Sequence, residues 1–459
     1  MQIDSSIFKA YDIRGVVDKT LTFEAARAVG QALGSLAREK NISTLCVGRD
    51  GRLSGPKLSK ALIEGITDMG VNVKSIGMTP TPVLYFATFL TETGSGVAVT
   101  GSHNPPEYNG LKMMMGKDTL YGDGIQDLRH RIEAGITVSE QKGTVEEIDV
   151  VTPYLKKITD DVKLARPIKV AIDGGNGVTG PIAMELFKRL GCEITPLYTE
   201  INGHFPNHHP DPSKPANLKD LIETVKNTDV ELGLAFDGDG DRLGVVTKSG
   251  QIIYPDRQIM LFAADILKHN PGAPIIYDVK CTRRLVPWIK EHGGVPTICR
   301  TGHSLVKAKL KETQAPFAGE MSGHLFFNDK RWPGFDDGLY AGARILEILS
   351  RCPNPSEVLE ALPTAVNTPE LHIEMAEGEN KRFVEKLQKQ LHFDDATDVI
   401  TIDGIRVEWN DGFALARSSN TTPVVVLRLE GDTAEALERI KTRFAEALKQ
   451  VDPNVKLPF

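Results

Sequence analysis

A chain of 459 residues with 41% hydrophobic and 25% charged side chains has the make-up of a soluble globular protein of three or four domains. Its formal net charge of −7 argues against general nucleic-acid binding, which favours a basic surface, but leaves room for a local basic pocket around a small anion. Cys46, Cys192, Cys281, Cys299 and Cys352 are odd in number and scattered without a C-x-x-C pair, so reduced thiols in the cytoplasm are expected in place of a disulfide frame or a zinc site.

In chain order, the opening MQIDSSIFKAYDIRG lacks the apolar core and basic flank of a signal peptide, and no later run is apolar enough to span a membrane. Residues 7–15 (IFKAYDIRG) read as extended and then turning at Gly15, with Tyr11 and Arg14 available to a site. Between Thr22 and Lys40, Phe23, Ala26, Val29, Leu33 and Leu36 have helical spacing. TLCVGRD (44–50) is a strand ending in charge. Ser54-Gly-Pro56 opens a second helix: Ser54 is the expected cap, Leu58, Leu62 and Ile66 the buried face, and Gly70 the stop. The strand VNVKSIG and the helix within TPTPVLYFATFL follow, and this βαβα alternation predicts a largely parallel sheet.

Val97 to Thr100 then form a short buried strand that breaks into the polar turn Gly101-Ser102-His103-Asn104-Pro105. Such a turn presents a hydroxyl at the carboxyl edge of a sheet, where open α/β sheets bind ligands, and Gly101 permits a strained corner there. Taken alone, the same turn is also what an ordinary strand-to-loop connection looks like. Beyond Asn109-Gly-Leu-Lys112, a loop and a helix lead into breaker-rich sequence near 135–150. The pattern restarts with RPIKVAIDGGNG (166–177), a strand with a glycine-rich loop, and VELGLAFDGDGDR (230–242), a strand with an acidic loop. It restarts again with APIIYDVKCT (273–282), a strand ending at Lys280, and APFAGEMSGH (315–324). From about 368 the chain mixes strands with two helices, the last carrying Ala434, Leu437, Ile440, Phe444 and Leu448 on one face. The expected fold is three similar α/β domains with mixed, mostly parallel sheets and a C-terminal α+β domain, arranged around one central cleft. Their expected spans are 1–148, 149–252, 253–366 and 367–459.

The loops carry the chemistry. Asp237-Gly-Asp239-Gly-Asp241-Arg242 alternates carboxylates with glycines, so three hard oxygen ligands can curl around one cation. Three carboxylates this close repel strongly without a counter-charge. The loop is not an EF-hand, because Arg242 and Lys248 stand where glycine and glutamate are needed; its donors suit Mg²⁺, and the competing reading is a solvated acidic turn. Arg417-Ser-Ser419-Asn420-Thr421-Thr422 offers a guanidinium and five hydroxyl or amide groups, either a phosphate grip or a plain turn. Glu320-Met-Ser322-Gly-His324 sets a carboxylate and a hydroxyl together, as vicinal sugar hydroxyls require, and Lys280, Arg300 and His303 add cations and a titratable ring. A lone histidine is more often structural, and His303 carries that alternative. Ser102 lies outside G-x-S-x-G, so an acyl-transfer elbow is not indicated; a serine beside a metal and several cations fits phosphoryl transfer.

With TGSHNP (100–105), DGDGDR (237–242), GEMSGH (319–324) and RSSNTT (417–422) in order, the chain resembles the α-D-phosphohexomutase family along essentially its whole length. The resemblance implies that Ser102 is phosphorylated and both gives and takes a phosphoryl group, with Asp237, Asp239, Asp241 and the Ser102 phosphate holding one Mg²⁺ per chain. It implies sugar contacts from Glu320, Ser322 and His324, and a grip on the non-reacting phosphate from Arg417, Ser419, Asn420 and Thr421. Tyr11, Arg14, Lys112, Arg242, Lys280 and His303 become catalytic-site or substrate contacts, His303 and Lys112 being acid/base candidates. The reaction implied is reversible conversion of hexose 1-phosphate to hexose 6-phosphate, for mannose and glucose, through a bound hexose 1,6-bisphosphate that reorients. Met321 favours this over a phosphoglucosamine mutase. A metal-dependent phosphatase and a non-catalytic sugar-phosphate sensor are the other classes weighed. A cytoplasmic monomer acting on small sugar phosphates, with no nucleic-acid or membrane partner, is the expectation.

Overall fold

The structure is a computed structural model that describes residues 3–420 and 422–459. It resolves into two compact units: residues through Pro255 together with Ser322–Ala361, and Asp256–Met321 together with Leu362–Phe459.

The first unit holds two sheets. In the first, the strands run in the order Ile13–Val16, Tyr108–Met115, Gly96–Val99, Thr44–Arg49, Asn72–Met78, Val145–Glu147. The last four are parallel, and Tyr108–Met115 is antiparallel to both of its neighbours. Thr44–Arg49 and Gly96–Val99 therefore end side by side, so Asp50 and the Thr100–Ser102 turn leave the sheet at the same edge. Helix Phe23–Glu39, capped by Thr22 on the Ala25 N–H, packs closely on helix Gly55–Asp68. A Cβ on Gly65 would lie 2.0 Å from the Arg27 carbonyl oxygen, so only glycine allows this approach.

In the second sheet the order is Ile252–Ile253, Leu243–Thr247, Leu232–Phe236, Lys169–Asp173, Glu193–Leu197. Lys169–Asp173 and Leu232–Phe236 are parallel neighbours, so the glycine-rich and acidic loops also emerge together, and the Val178 N–H donates to the Gly238 carbonyl.

In the second unit, Pro274–Asp278 lies between the parallel strands Val295–Cys299 and Phe317–Gly319. Its C-terminal part is an antiparallel sheet ordered Val366–Asn367, Val424–Gly431, Gly412–Ser418, Ile405–Trp409, Asp398–Ile400, with Leu371–Glu374 also paired to Val424–Gly431. Helices Glu379–Gln390 and Ala434–Val451 bury Phe383, Leu387, Leu437, Ile440, Phe444 and Leu448 against Val425, Leu427 and Leu429. No helix among the described residues is long and apolar enough to cross a membrane, and all five cysteines are free.

Four local expectations need correction. Gly15 is no turn: it lies inside Ile13–Val16 opposite Asn109, where Thr20 and Ile7 leave no room for a Cβ. Ser54 does not cap its helix, because its own backbone is already helical and its hydroxyl accepts a hydrogen bond from Asn109. The strand expected to reach Lys280 stops at Asp278. On the last helix Ala434 is exposed, while Ala436 and Ala447 are buried.

Helix Gly338–Leu349 is buried on every side and is capped by Asp337, which accepts hydrogen bonds from the Tyr340 N–H and the Tyr154 hydroxyl. Burial pushes the Asp337 carboxyl up to about 7, against the hydrogen bonds that favour its charged form. A raised carboxyl binds its proton more tightly in the fold. The stability this supplies is fully present below the ordinary carboxylate value near pH 4 and is lost as pH rises towards 7. Asp337→Asn keeps the acceptor for the cap and removes the titration. Urea unfolding at pH 5 and pH 8 should show a smaller loss of stability between the two for this variant than for the native chain; equal losses would refute the assignment.

A candidate active site

Ser102 follows a strand with no exposed residue and is itself 1% exposed. The left-handed residue of the turn is Ser102 (φ +49°) and not Gly101, so the strain sits on the serine that carries the hydroxyl. Gly101 is needed for a different reason: a Cβ there would lie 2.4 Å from the Arg52 guanidinium. The Ser102 N–H donates to Thr100 Oγ1 (2.8 Å) and its hydroxyl to Asp237 Oδ2 (3.2 Å).

Asp237, Asp239 and Asp241 are completely buried, with carboxylate oxygens of all three within 4.8 Å of one another. Gly240 (φ +80°) and Arg242 turn their N–H groups onto Asp237 Oδ1, which curls the loop. Gly238 lets it approach the serine: a Cβ there would sit 2.3 Å from the Ser102 carbonyl oxygen. Thr81 donates its hydroxyl to Asp239 Oδ2.

Lys112 supplies the counter-charge that the loop alone lacks. Its Nζ donates to Asp239 Oδ2 (2.8 Å) and Asp241 Oδ2 (2.5 Å), reaching over from the strand beside Gly96–Val99, where it stands opposite Ala98. Burial opposes its charge, but the carboxylates outweigh burial and hold the ammonium above its usual range. Lys112 in turn brings Asp239 below the carboxylate range despite burial. Burial and the charges of Asp241 and Asp239 drive Asp237 well up. Arg242 Nε, 3.7 Å from Asp237, is the second cation. Two cations against three carboxylates leave the cluster one positive charge short. Asp239 Oδ1 and Asp241 Oδ1 are buried without a hydrogen bond. A donor set of hard, convergent, partly unused oxygens fits a divalent cation.

Arg242 is held from behind: its Nε donates to His324 Nε2 (3.1 Å), while His324 Nδ1 lies 2.9 Å from Asp336. His324 Nε2 accepts from Arg242 and its Nδ1 lies beside Asp336, so the ring orients Arg242 in this arrangement. Arg14 donates to the Gly101 carbonyl (3.3 Å) and pairs with Asn104 and Asp12. His103 Nδ1 is 3.3 Å from Ser102 Oγ; burial and the charges of Arg242 and Arg14 hold this imidazole well below its usual range, hence neutral. Tyr11 and Ser322 are half-buried.

In the second unit the three parallel strands end in one polar cluster. Glu320 Oε1 accepts from the Gly302 N–H (2.6 Å), directly before His303, the first residue of helix His303–Thr313. Asp278 takes the Met321 N–H on one oxygen and the Thr301 hydroxyl on the other. Arg417, 4% exposed, is the penultimate residue of strand Gly412–Ser418, and its Nε donates to Asp403 Oδ2 (2.9 Å), which also accepts the Thr301 N–H (3.0 Å). Lys280 pairs with Glu370 at 3.1 Å; the pair holds Glu370 well below the carboxylate range and keeps Lys280 charged against burial. Asn380 ties the carbonyls of Ser419, Thr422 and Val424, which shapes the loop containing Asn420; Thr421 lies outside the described residues. Sequence reasoning gave no role to Asp50, Arg52, Thr81, Asp336, Glu370 or Asp403. Only the charge closing TLCVGRD signalled any of them.

Four family models match in succession, the three α/β/α domains and the C-terminal domain of phosphoglucomutase/phosphomannomutase, over residues 5–141, 152–250, 254–366 and 370–447. The chain belongs to the phosphoglucomutase/phosphomannomutase family, and its four-domain α/β architecture is that family's. It is 57% identical to a phosphoglucomutase of Neisseria gonorrhoeae (99% of each chain) and 54% identical to a phosphomannomutase/phosphoglucomutase of Pseudomonas aeruginosa (100% of this chain, 98% of that one). A crystal structure of a phosphoglucomutase/phosphomannomutase family protein from Burkholderia thailandensis is 55% identical and superposes over the whole of both chains with a TM-score of 0.95.

Proposed function

We propose that this chain interconverts hexose 1-phosphate and hexose 6-phosphate, for both mannose and glucose, by way of a phosphorylated Ser102. The observation that carries the reading is a buried serine hydroxyl 3.2 Å from one member of a carboxylate triad that is short of positive charge. Asp237, Asp239 and Asp241 would hold one Mg²⁺, which supplies positive charge against phosphate oxygens.

In the first transfer the bond between Ser102 Oγ and phosphorus breaks as the 6-hydroxyl oxygen of hexose 1-phosphate bonds to phosphorus. The hydroxyl proton goes to a base. The resulting hexose 1,6-bisphosphate reorients, its C1 oxygen–phosphorus bond breaks, and Ser102 takes the phosphoryl group back. Lys112 and His303 are the two acid/base candidates for these proton transfers. Arg14 and Arg242 would face the transferring phosphoryl group. Glu320, Ser322, Lys280 and Tyr11 would contact the sugar, and Arg417, Ser419, Asn420 and Thr421 the phosphate that does not react.

Contacts to the sugar hydroxyls away from C2 would serve both epimers. Turnover of glucose 1-phosphate and mannose 1-phosphate by the purified chain should be comparable in a side-by-side assay with glucosamine 1-phosphate. Intact-mass and peptide analysis should place a phosphate on Ser102. A strong preference for the amino sugar, release of inorganic phosphate, or active protein unmodified at Ser102 would each overturn the reading.

A further inference from the structure

The strand ending in charge, TLCVGRD, leads to a structure the reaction as described does not use. Arg52 is fully buried. A guanidinium has five N–H donors, and here each is matched to an acceptor. Nε donates to Asp50 Oδ2 (3.2 Å), one terminal nitrogen to the carbonyls of Pro105 (2.6 Å) and Tyr108 (3.0 Å), and the other to those of Ser102 (2.8 Å) and Asn104 (2.6 Å). Four of the five acceptors are backbone carbonyls of the serine turn and its exit. Asp50 works on the entry side: its Oδ2 accepts the Thr100 hydroxyl (2.7 Å) and the Gly101 N–H (3.2 Å), and Thr100 Oγ1 accepts the Ser102 N–H. Phe205 covers the guanidinium with its ring, and Gly203 packs against Gly51 and Arg52 so closely that a Cβ would meet backbone at 2.9 Å.

We infer that Arg52, with Asp50 and Thr100, is the positioning device that holds Ser102 in its left-handed conformation and aims its hydroxyl at the transferring phosphoryl group. The inference rests on the proposed function and extends it to residues that touch neither substrate nor metal. Ser102 adopts a backbone angle that residues other than glycine resist, so something outside the turn must fix it. Among the described residues Arg52 is the donor to the Ser102 carbonyl, and a lysine in its place has three donors on a single nitrogen and cannot reproduce the fork.

The native chain is assayed first. If it shows no mutase turnover, the proposed function fails and takes this inference with it; if it turns over, the variants test the clamp alone. Arg52→Lys keeps the charge but releases most of the carbonyls, and a misplacement of the hydroxyl by about 1 Å costs about 100-fold in kcat. KM for mannose 1-phosphate should stay within about twofold, since no substrate contact is altered. The rate at which glucose 1,6-bisphosphate restores phosphate to dephosphorylated Ser102, read by intact mass, should fall in parallel. Should Arg52→Lys not fold, Thr100→Val decides: losing the bridging hydroxyl should lower kcat about 10-fold, and Thr100→Ser should recover most of that loss. Native kcat in Arg52→Lys, an effect confined to KM, or equal kcat in Thr100→Val and Thr100→Ser would refute the clamp.

Discussion

Replacing Ser102 with alanine should lower turnover by about six orders of magnitude, the scale at which removal of a covalent nucleophile acts, with the chain still folded. The argument separates activity from stability. Ser102 already carries the left-handed backbone angle, so alanine adds little strain beyond what serine bears. The change removes two side-chain hydrogen bonds, to Asp237 and His103, worth about 1 kcal/mol each. Ser102→Gly tests the same point from the other side. Glycine is at ease at φ +49°, so that variant should be equally inactive and no less stable than the alanine form. Coupled assay of glucose 6-phosphate formation, together with urea unfolding of all three chains, checks both halves. Residual turnover above about 1% of native would remove Ser102 from the covalent step.

The elements of the fold were largely readable because their signals are local. Phe23 to Leu36 repeat at helical spacing, and Leu232–Phe236 is an uninterrupted apolar run. The errors came where a neighbour distant in sequence decides the outcome. Ser54 has the residue type of a cap, yet its hydroxyl is taken by Asn109, which no pattern around residue 54 reveals. Gly15 reads as a turn until Tyr108–Met115 supplies a strand for it to pair with. The site divides along the same line. The serine turn, the acidic loop and the two grips are contiguous motifs, and each was visible in its own stretch. Arg52 stands fifty positions before the turn it holds and comes next to it only because Thr44–Arg49 and Gly96–Val99 are parallel neighbours. Sequence periodicity gives strands but not their order, so the clamp, the Asp403 link between Arg417 and Thr301, and the Asp336–His324–Arg242 relay were out of its reach. The resemblance assigned Lys112 to acid/base work; geometry adds that it is also the counter-charge the aspartates require.

That double role makes Lys112→Ala the most revealing change after Ser102. Lys112 is 3% exposed and pairs with two carboxylates that are not exposed at all. Removing one partner of a buried pair leaves uncompensated charge, and such losses run to about 3–5 kcal/mol. In the presence of a chelator the variant should therefore unfold at markedly lower urea than the native chain. Mg²⁺ should then stabilise the variant more than it stabilises the native protein. A cation that binds the fold and not the unfolded chain contributes in proportion to its affinity, and the affinity rises when a competing ammonium is gone. Catalysis should not recover with stability, because a metal ion cannot donate the proton that the ammonium carries. Lys112→Met, which fills the same volume without charge, separates lost packing from lost charge: both variants should share the chelator-dependent deficit if charge is the cause. Unfolding midpoints in chelator and in Mg²⁺ for the three chains give the answer. Equal midpoints in chelator would mean that the aspartates bear their burial without Lys112, and a Mg²⁺ effect no larger in the variants than in the native chain would mean that the triad does not hold the metal.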